Sequence, residues 1–225
     1  GVVVFDVETT QLIEDGGALR DMEVSVACAV RMPAAATVQA AREAAETGAF
    51  WHRSVTRAPG GGEATPVVRM LEWFDAARVL VAYNGAAFDM EVLWKHYGGD
   101  EERWTAHKRK LLDPMAVAQR EVGRRVKLST LLARNGVGGK AGAGCDAPRW
   151  WQEGKWAQLE RYCARDVWAL AELVTRQEMR CGGHASTRAA SVVGTLTRGQ
   201  GGGDVWVTER ACTHARGAGR RPNRL

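Results

Sequence analysis

Two acidic residues two positions apart, Asp6 and Glu8, stand at the end of an apolar run, Val2–Val7 (VVVFDV). Such a β-branched and aromatic run predicts a buried strand. Side chains two apart on a strand share a face, so the two carboxylates project side by side. Like charges are costly to bury unless something positive compensates them. A divalent cation would do so, and hard oxygen ligands select magnesium, manganese or calcium. Alone, D-x-E also suits a strand end where both side chains reach water.

Two further pieces carry chemistry-bearing side chains. Asn84-Gly85-Ala86-Ala87-Phe88-Asp89 follows the short apolar run Val79–Tyr83 (VLVAY), which predicts a buried strand. Asp89 then sits at the start of a helix, at the C-terminal edge of a sheet, where α/β folds usually place their sites. By itself it would serve as a helix cap. Tyr162 and Asp166 lie four apart in a helical pattern, so phenol and carboxylate share one face. Singly, that pair is explained as two surface neighbours.

The elements that must hold these groups follow from the rest of the pattern. Glu23–Met32 alternates and predicts a second strand, Ala34–Thr47 is alanine-rich and predicts a helix, and Ala49–Val55 suits a third strand. Thr65-Pro66 has the cap-plus-proline signature of a helix start, with Val68, Leu71 and Phe74 as its apolar face. Phe88–Tyr97 predicts a helix stopped by Gly98-Gly99, Asp113-Pro114 opens another, and Ser129–Asn135 a short third. From Glu153 to about Met179, Trp156, Leu159, Cys163, Val167, Leu170 and Val174 recur at helical spacing. Three strands, helix, strand and then helices describe a mixed α/β sheet with helices packed on it.

Composition narrows the classes. Apolar residues make up 45% of the 225 and charged residues 25%, ordinary globular values. No stretch approaches the ~18 apolar residues of a membrane span. Opening at Gly1, straight into a strand, reads as a trimmed or partial product, so the lack of a leader carries no weight for targeting. Five scattered cysteines without a C-x-x-C pair favour a reducing, intracellular compartment, cytoplasm or nucleus. Cys181-Gly-Gly-His184 with Cys212-Thr-His214 fits no usual zinc spacing. The net charge of +5 belongs to the tail, where Arg180–Leu225 holds eight arginines against Asp204 and Glu209. Residues 103–134 are locally basic, with nine Lys and Arg against Asp113 and Glu121. That stretch suits either a phosphate-binding face or a solvated helix surface.

Taken together and in order, a strand D-x-E, a post-strand N-x-x-x-F-D and a helical Y-x-x-x-D resemble the three motifs of the DEDDy 3′–5′ exonuclease family. That family has a ribonuclease-H-like fold and includes the proofreading domains of DNA polymerases. Leu111-Leu112-Asp113 and the segment from Ala147 to Gly154 are similar to stand-alone predicted exonucleases close to the family B proofreading domains. The resemblance spans roughly Val2 to Thr175. It implies an α/β, ribonuclease-H-like mixed sheet flanked by helices, with an exonuclease domain over residues 1–180. Residues 181–225 would be a largely disordered basic tail.

The activity so implied is metal-dependent 3′–5′ hydrolysis of single-stranded nucleic acid, DNA favoured, to nucleoside 5′-monophosphates. Asp6, Glu8, Asp89 and Asp166 would hold two divalent cations, Mg2+ or Mn2+. Asp6 would bridge them, Glu8 and Asp166 would hold the first, and Asp89 would act on the second. Tyr162 would orient the attacking water. Thr9, Leu12, Asn84 and Phe88 are candidates to contact the terminal nucleotides, the apolar ones by packing against bases. Trp150 and Trp151 would either stack on bases or anchor their loop to the core.

One position departs from the family pattern: after Glu8-Thr9-Thr10 the family often has glycine, and here Gln11 stands, a residue less tolerant of positive φ. The expected partners are 3′ ends of single-stranded DNA or RNA, with a polymerase or other replication or repair protein. An exoribonuclease and a non-catalytic nucleic-acid-binding module remain as other readings. Presence of all four acids and the tyrosine favours catalysis.

Overall fold

A computed structural model of the chain describes residues 1–13, 18–33, 35, 37–138, 146–176, 179–181 and 186–187. The valine run forms β1 (Val2–Thr9), paired antiparallel with β2 (Val24–Met32), which pairs antiparallel with β3 (Glu46–Trp51). On its other side β1 runs parallel to β4 (Val79–Val81), and β4 parallel to β5 (Leu111–Leu112). The five-stranded sheet therefore has the order β3-β2-β1-β4-β5, with β1 in the middle.

A central strand covered on both faces reads as a continuous apolar run and not as an alternation. Val2 and Val4 enter one core with Leu159, Cys163, Val167 and Leu170 of the long helix that crosses β1 and β2. Val3, Phe5 and Val7 enter a second core with Leu71, Phe74 and Met90. In chain order the helices are α1 (Val38–Glu43), α2 (Met70–Ala76), α3 (Asp89–Val92), α4 (Glu101–Arg109), α5 (Pro114–Val122), α6 (Leu128–Arg134), α7 (Ala147–Gln152) and α8 (Trp156–Val174). The mixed sheet flanked by helices is the architecture expected.

Several local expectations change. The alanine-rich helix shrinks to α1, and β3 begins at Glu46 because Glu46 and Thr47 find ladder partners in Arg31 and Val30. Thr65 does not cap a helix: its carbonyl accepts the Trp51 N–H at 2.7 Å and prolongs the sheet edge. Pro66 then leads through a 3-10 turn (Val67–Arg69) into α2, leaving Val68 exposed. The helix expected over Phe88–Tyr97 is α3 followed by a 3-10 turn (Leu93–Tyr97), ended as predicted by Gly98 at φ 61°. Asp113 does cap α5, accepting from Met115 N at 2.9 Å.

After α8 a short hairpin appears, β6 (Met179–Arg180) with β7 (Ser186–Thr187), where no strand was expected. Asn135 clamps its first strand, accepting from Arg180 N and donating to Arg180 O. The strand-like run Asp204–Thr208 (DVWVT) of the tail, His184, Cys212 and His214 lie outside the described residues. No helix among the described residues is long and apolar enough to cross a membrane.

Candidate active site

Asp6 and Glu8 continue the face of β1 that carries Val2 and Val4, so they point toward α8 and stay half-buried at its edge. Above them α8 brings Tyr162, Cys163 and Asp166. The Cys163 thiol donates to the Asp6 carbonyl at 3.5 Å, which fixes the helix over this part of the strand. Tyr162 and Asp166 are buried, and the Tyr162 ring stands edge-on to Trp150 of α7 at 5.4 Å. Trp150 therefore anchors its segment to the core, against the very side chain expected to orient water.

Asp89 arrives from the other side of β1. The β1–β4 ladder covers only Val2–Val4, so beyond it the β4-facing edge of β1 needs other acceptors. Asp89 Oδ1 supplies one, accepting the Val7 N–H at 3.0 Å. Burial, and then the Asp6 carboxylate nearby, push the Asp89 carboxyl well above the usual carboxylate range, while backbone N–H groups of Asp89 and Val7 pull the other way. The turn that delivers it depends on Asn84 at φ 65° and on Gly85, where an added Cβ would meet the Ala82 Cβ at 2.4 Å. Asp113 closes the same turn by accepting from Asn84 N at 2.9 Å, and burial raises its own pKa.

Ligand atoms of Asp6, Glu8 and Cys163 all lie within 4.8 Å of one another. Cys163 was not anticipated as a neighbour of the acids. Burial pushes its thiol well up, so it offers a protonated sulfur, and the carboxylates are the natural ligands of a hard cation. Asp89 and Asp166 stand around this trio without joining it at that mutual distance. The donor set fits a divalent cation: Asp89 is a fully buried acid beside another acid, an arrangement that a bound dication would stabilise.

The remaining candidates occupy different niches. The Thr9 hydroxyl is buried and donates to Gln11 O at 2.7 Å, so it closes the turn after β1. Gln11 needs no left-handed backbone, since Asn84 is the non-glycine residue of positive φ among the described residues. Leu12 and Ile13 just beyond that turn are 53% and 54% exposed. Asn84 Oδ1 accepts from Arg125 at 3.0 Å, and Phe88 is half-buried against the second core. Trp156, expected as a core position of α8, is instead partly exposed and stacks on Trp151 at 6.1 Å. The basic stretch is not one face: Arg103 pairs with Asp75, Lys108 with Glu91, and Arg134 donates to the Cys181 carbonyl.

A mixed sheet whose central strand presents two acids to a closing helix is an α/β scaffold flanked by helices, and comparison with known families names its class. The chain belongs to the RNase H superfamily, whose family model matches residues 3–177. Among solved structures, the family B DNA polymerase of the hyperthermophilic archaeon Pyrobaculum calidifontis is similar over 77% of this chain and 24% of its own, at 15% identity and a TM-score of 0.50. An exonuclease I structure covers 77% of this chain and 39% of its own at 15% identity and a TM-score of 0.48. The zinc-bound E. coli exonuclease I–ssDNA complex follows at 12% identity and a TM-score of 0.45, again over 77% and 39%. The chain thus spans between a quarter and two fifths of these proteins. No curated protein matches it.

Proposed function

We propose that this chain is a metal-dependent 3′–5′ exonuclease of the DEDDy type that degrades single-stranded nucleic acid, DNA favoured, to nucleoside 5′-monophosphates. The observation that carries the reading is Asp89: a buried carboxylate held on the Val7 N–H and beside Asp6, on the strand over which α8 carries Tyr162 and Asp166. No structural role requires an acid there, because a neutral acceptor would satisfy Val7 equally well.

Asp6, Glu8, Asp89 and Asp166 would hold two divalent cations, Mg2+ or Mn2+. When bound, such ions supply an activated water and neutralise the charge that develops on the phosphate. The chain's own groups bind and orient. Tyr162, braced by Trp150, holds its phenol O–H one helical turn from Asp166, where it can orient the attacking water. Leu12 and Ile13 offer apolar surface to the terminal bases, and Asn84 and Phe88 border the turn that carries Asp89. A polymerase or another replication or repair protein, in cytoplasm or nucleus, is the partner such an activity would serve.

The test replaces Asp6 and Asp166 together with alanine and follows a 5′-labelled oligonucleotide in magnesium. The wild type should shorten the strand from its 3′ end and the double variant should not. Release of no mononucleotides by wild type, or equal degradation by the variant, removes the claim.

A further inference from the structure

Cations placed close together on a surface repel one another, and a protein that keeps them unpaired beside its site has a use for an anion there. The segment joining α5 to α6 has this character. Gly123, at φ 75°, ends α5 and turns the chain back. Two contacts then pin the segment to the site edge: the Tyr83 hydroxyl donates to Val126 O at 2.5 Å, and Arg125 donates to Asn84 Oδ1 at 3.0 Å. Tyr83 and Asn84 continue β4 into the turn that delivers Asp89. Arg124, Arg125 and Lys127 are all exposed, and none has an acidic partner among the described residues. Of the stretch 103–134, Arg103, Lys108 and Arg134 are taken by Asp75, Glu91 and the Cys181 carbonyl. The amide that Arg125 now meets is neutral, and a phosphate would make a stronger, charge-assisted and bidentate partner.

We propose that Arg124, Arg125 and Lys127 form a phosphate rail that guides the backbone of single-stranded DNA to the active-site turn; this deepens, and rests on, the exonuclease reading above. Arg125 exchanges its Asn84 contact for a backbone phosphate as the strand enters. Affinity on this edge is therefore electrostatic and indifferent to base sequence.

The experiment measures binding of a 5′-fluorescent oligodeoxythymidylate with hydrolysis-resistant phosphorothioate 3′ linkages, in magnesium, across a salt series. Wild type is compared with R124A/R125A/K127A and with R42A, a cation on α1 at the opposite edge of the sheet. Each single-strand phosphate contact contributes about 0.7 to the slope of log K against log salt, so the triple variant should lose about 2 of that slope. R42A should match wild type, and R124K/R125K should restore the slope that a purely packing role for the guanidinium would not. Unchanged slope and affinity in the triple variant, or an equal loss in R42A, overturns the rail. If wild type degrades DNA normally while the triple variant binds as well as it does, only the rail falls. If wild type neither binds nor degrades, the exonuclease reading falls with it. A matched oligoribonucleotide that alone shows the slope loss overturns the assignment to DNA.

Discussion

In the proposed mechanism Asp89 works as a carboxylate where water does not reach it and where Asp6 already contributes negative charge. Burial and that neighbour both favour its protonated form, and only the Val7 and Asp89 N–H groups oppose them. Asp89→Asn should therefore separate stability from function. The amide oxygen can keep the Val7 bond while the charge disappears, so the metal-free protein should melt higher, by about 2–4 °C for each kcal/mol recovered. Hydrolysis should fall by at least about 100-fold, and the rise in Tm on adding magnesium should vanish. A variant that melts lower than wild type without metal would show that the charged acid stabilises the fold. Tyr162 makes a second case. Removing its hydroxyl in Tyr162→Phe should lower kcat roughly 100-fold with little change in KM, since a misplaced water costs about that much. Trp150→Ala frees the same ring from its edge-on neighbour, so the two losses should overlap and not add. Full additivity would separate Trp150 from the phenol.

At the scale of elements, the turn from β4 to α3 decides where Asp89 stands. Gly85→Ala drives a methyl group against Ala82, the residue just after β4 and three positions earlier. The cost should be about 1–3 kcal/mol with activity lost alongside, and Ala82→Gly in the same chain should recover most of both. Failure of the second substitution to rescue would mean that Gly85 matters for some other reason. Neither this glycine nor Cys163 was legible in the sequence, because each matters through a close approach between segments that no periodicity encodes. The placement of the four acids and Tyr162 on a strand, a helix start and a helix face was legible, because two-residue and four-residue spacings fix which side chains share a face. β1, β2 and α8 were equally plain, being long and strongly patterned. By contrast, Glu46 and Thr47 looked helical on local preference and were drawn into β3 by pairing with β2. Thr65 carried a helix-cap signature, yet its carbonyl is claimed by Trp51. The β6–β7 hairpin depends on the Asn135 clamp 45 residues away from Arg180, a long-range contact that local propensity cannot reveal. The basic stretch shows the same limit, since charge counting could not tell cations paired with Asp75 and Glu91 from those left exposed by Asn84.

Across the whole molecule, the two faces of the sheet hold different business, and that separation is testable by pH. The acids meet α8 on one face, whereas the second core is stitched by His107, which faces Asp75, Tyr97, Arg103, Lys110 and the edge of Phe74. Its Nε2 meets Asp75 Oδ1 at 2.9 Å and its Nδ1 meets the Tyr97 hydroxyl at 2.9 Å, so α2, α4 and the 3-10 turn are joined through one imidazole. Burial, then Lys110, holds the His107 pKa below the ordinary 6.5, although Asp75 pulls it up. At this imidazole the folded state consequently binds fewer protons than the unfolded state, and the stability that His107 contributes falls as pH drops through 6.5. His96, also lowered chiefly by burial, adds to the same slope. Asp75, held below its ordinary 3.8 mainly by Arg103, contributes only under stronger acid. Protonation of the raised acids Asp89 and Asp113 works the other way, so the histidine contribution is read as the difference between metal-free melts of wild type and His107→Gln from about pH 7 to pH 5. His107→Gln should cost about 1–3 kcal/mol at neutral pH by stranding the Tyr97 hydroxyl. That penalty should shrink toward about pH 5, where wild type has lost part of the same stabilisation, and the pH profile of hydrolysis should not move because the network lies across the sheet from Asp6. Parallel melting curves for the two proteins would place the proton uptake elsewhere, and a shifted activity profile would mean that the two faces are coupled through β1.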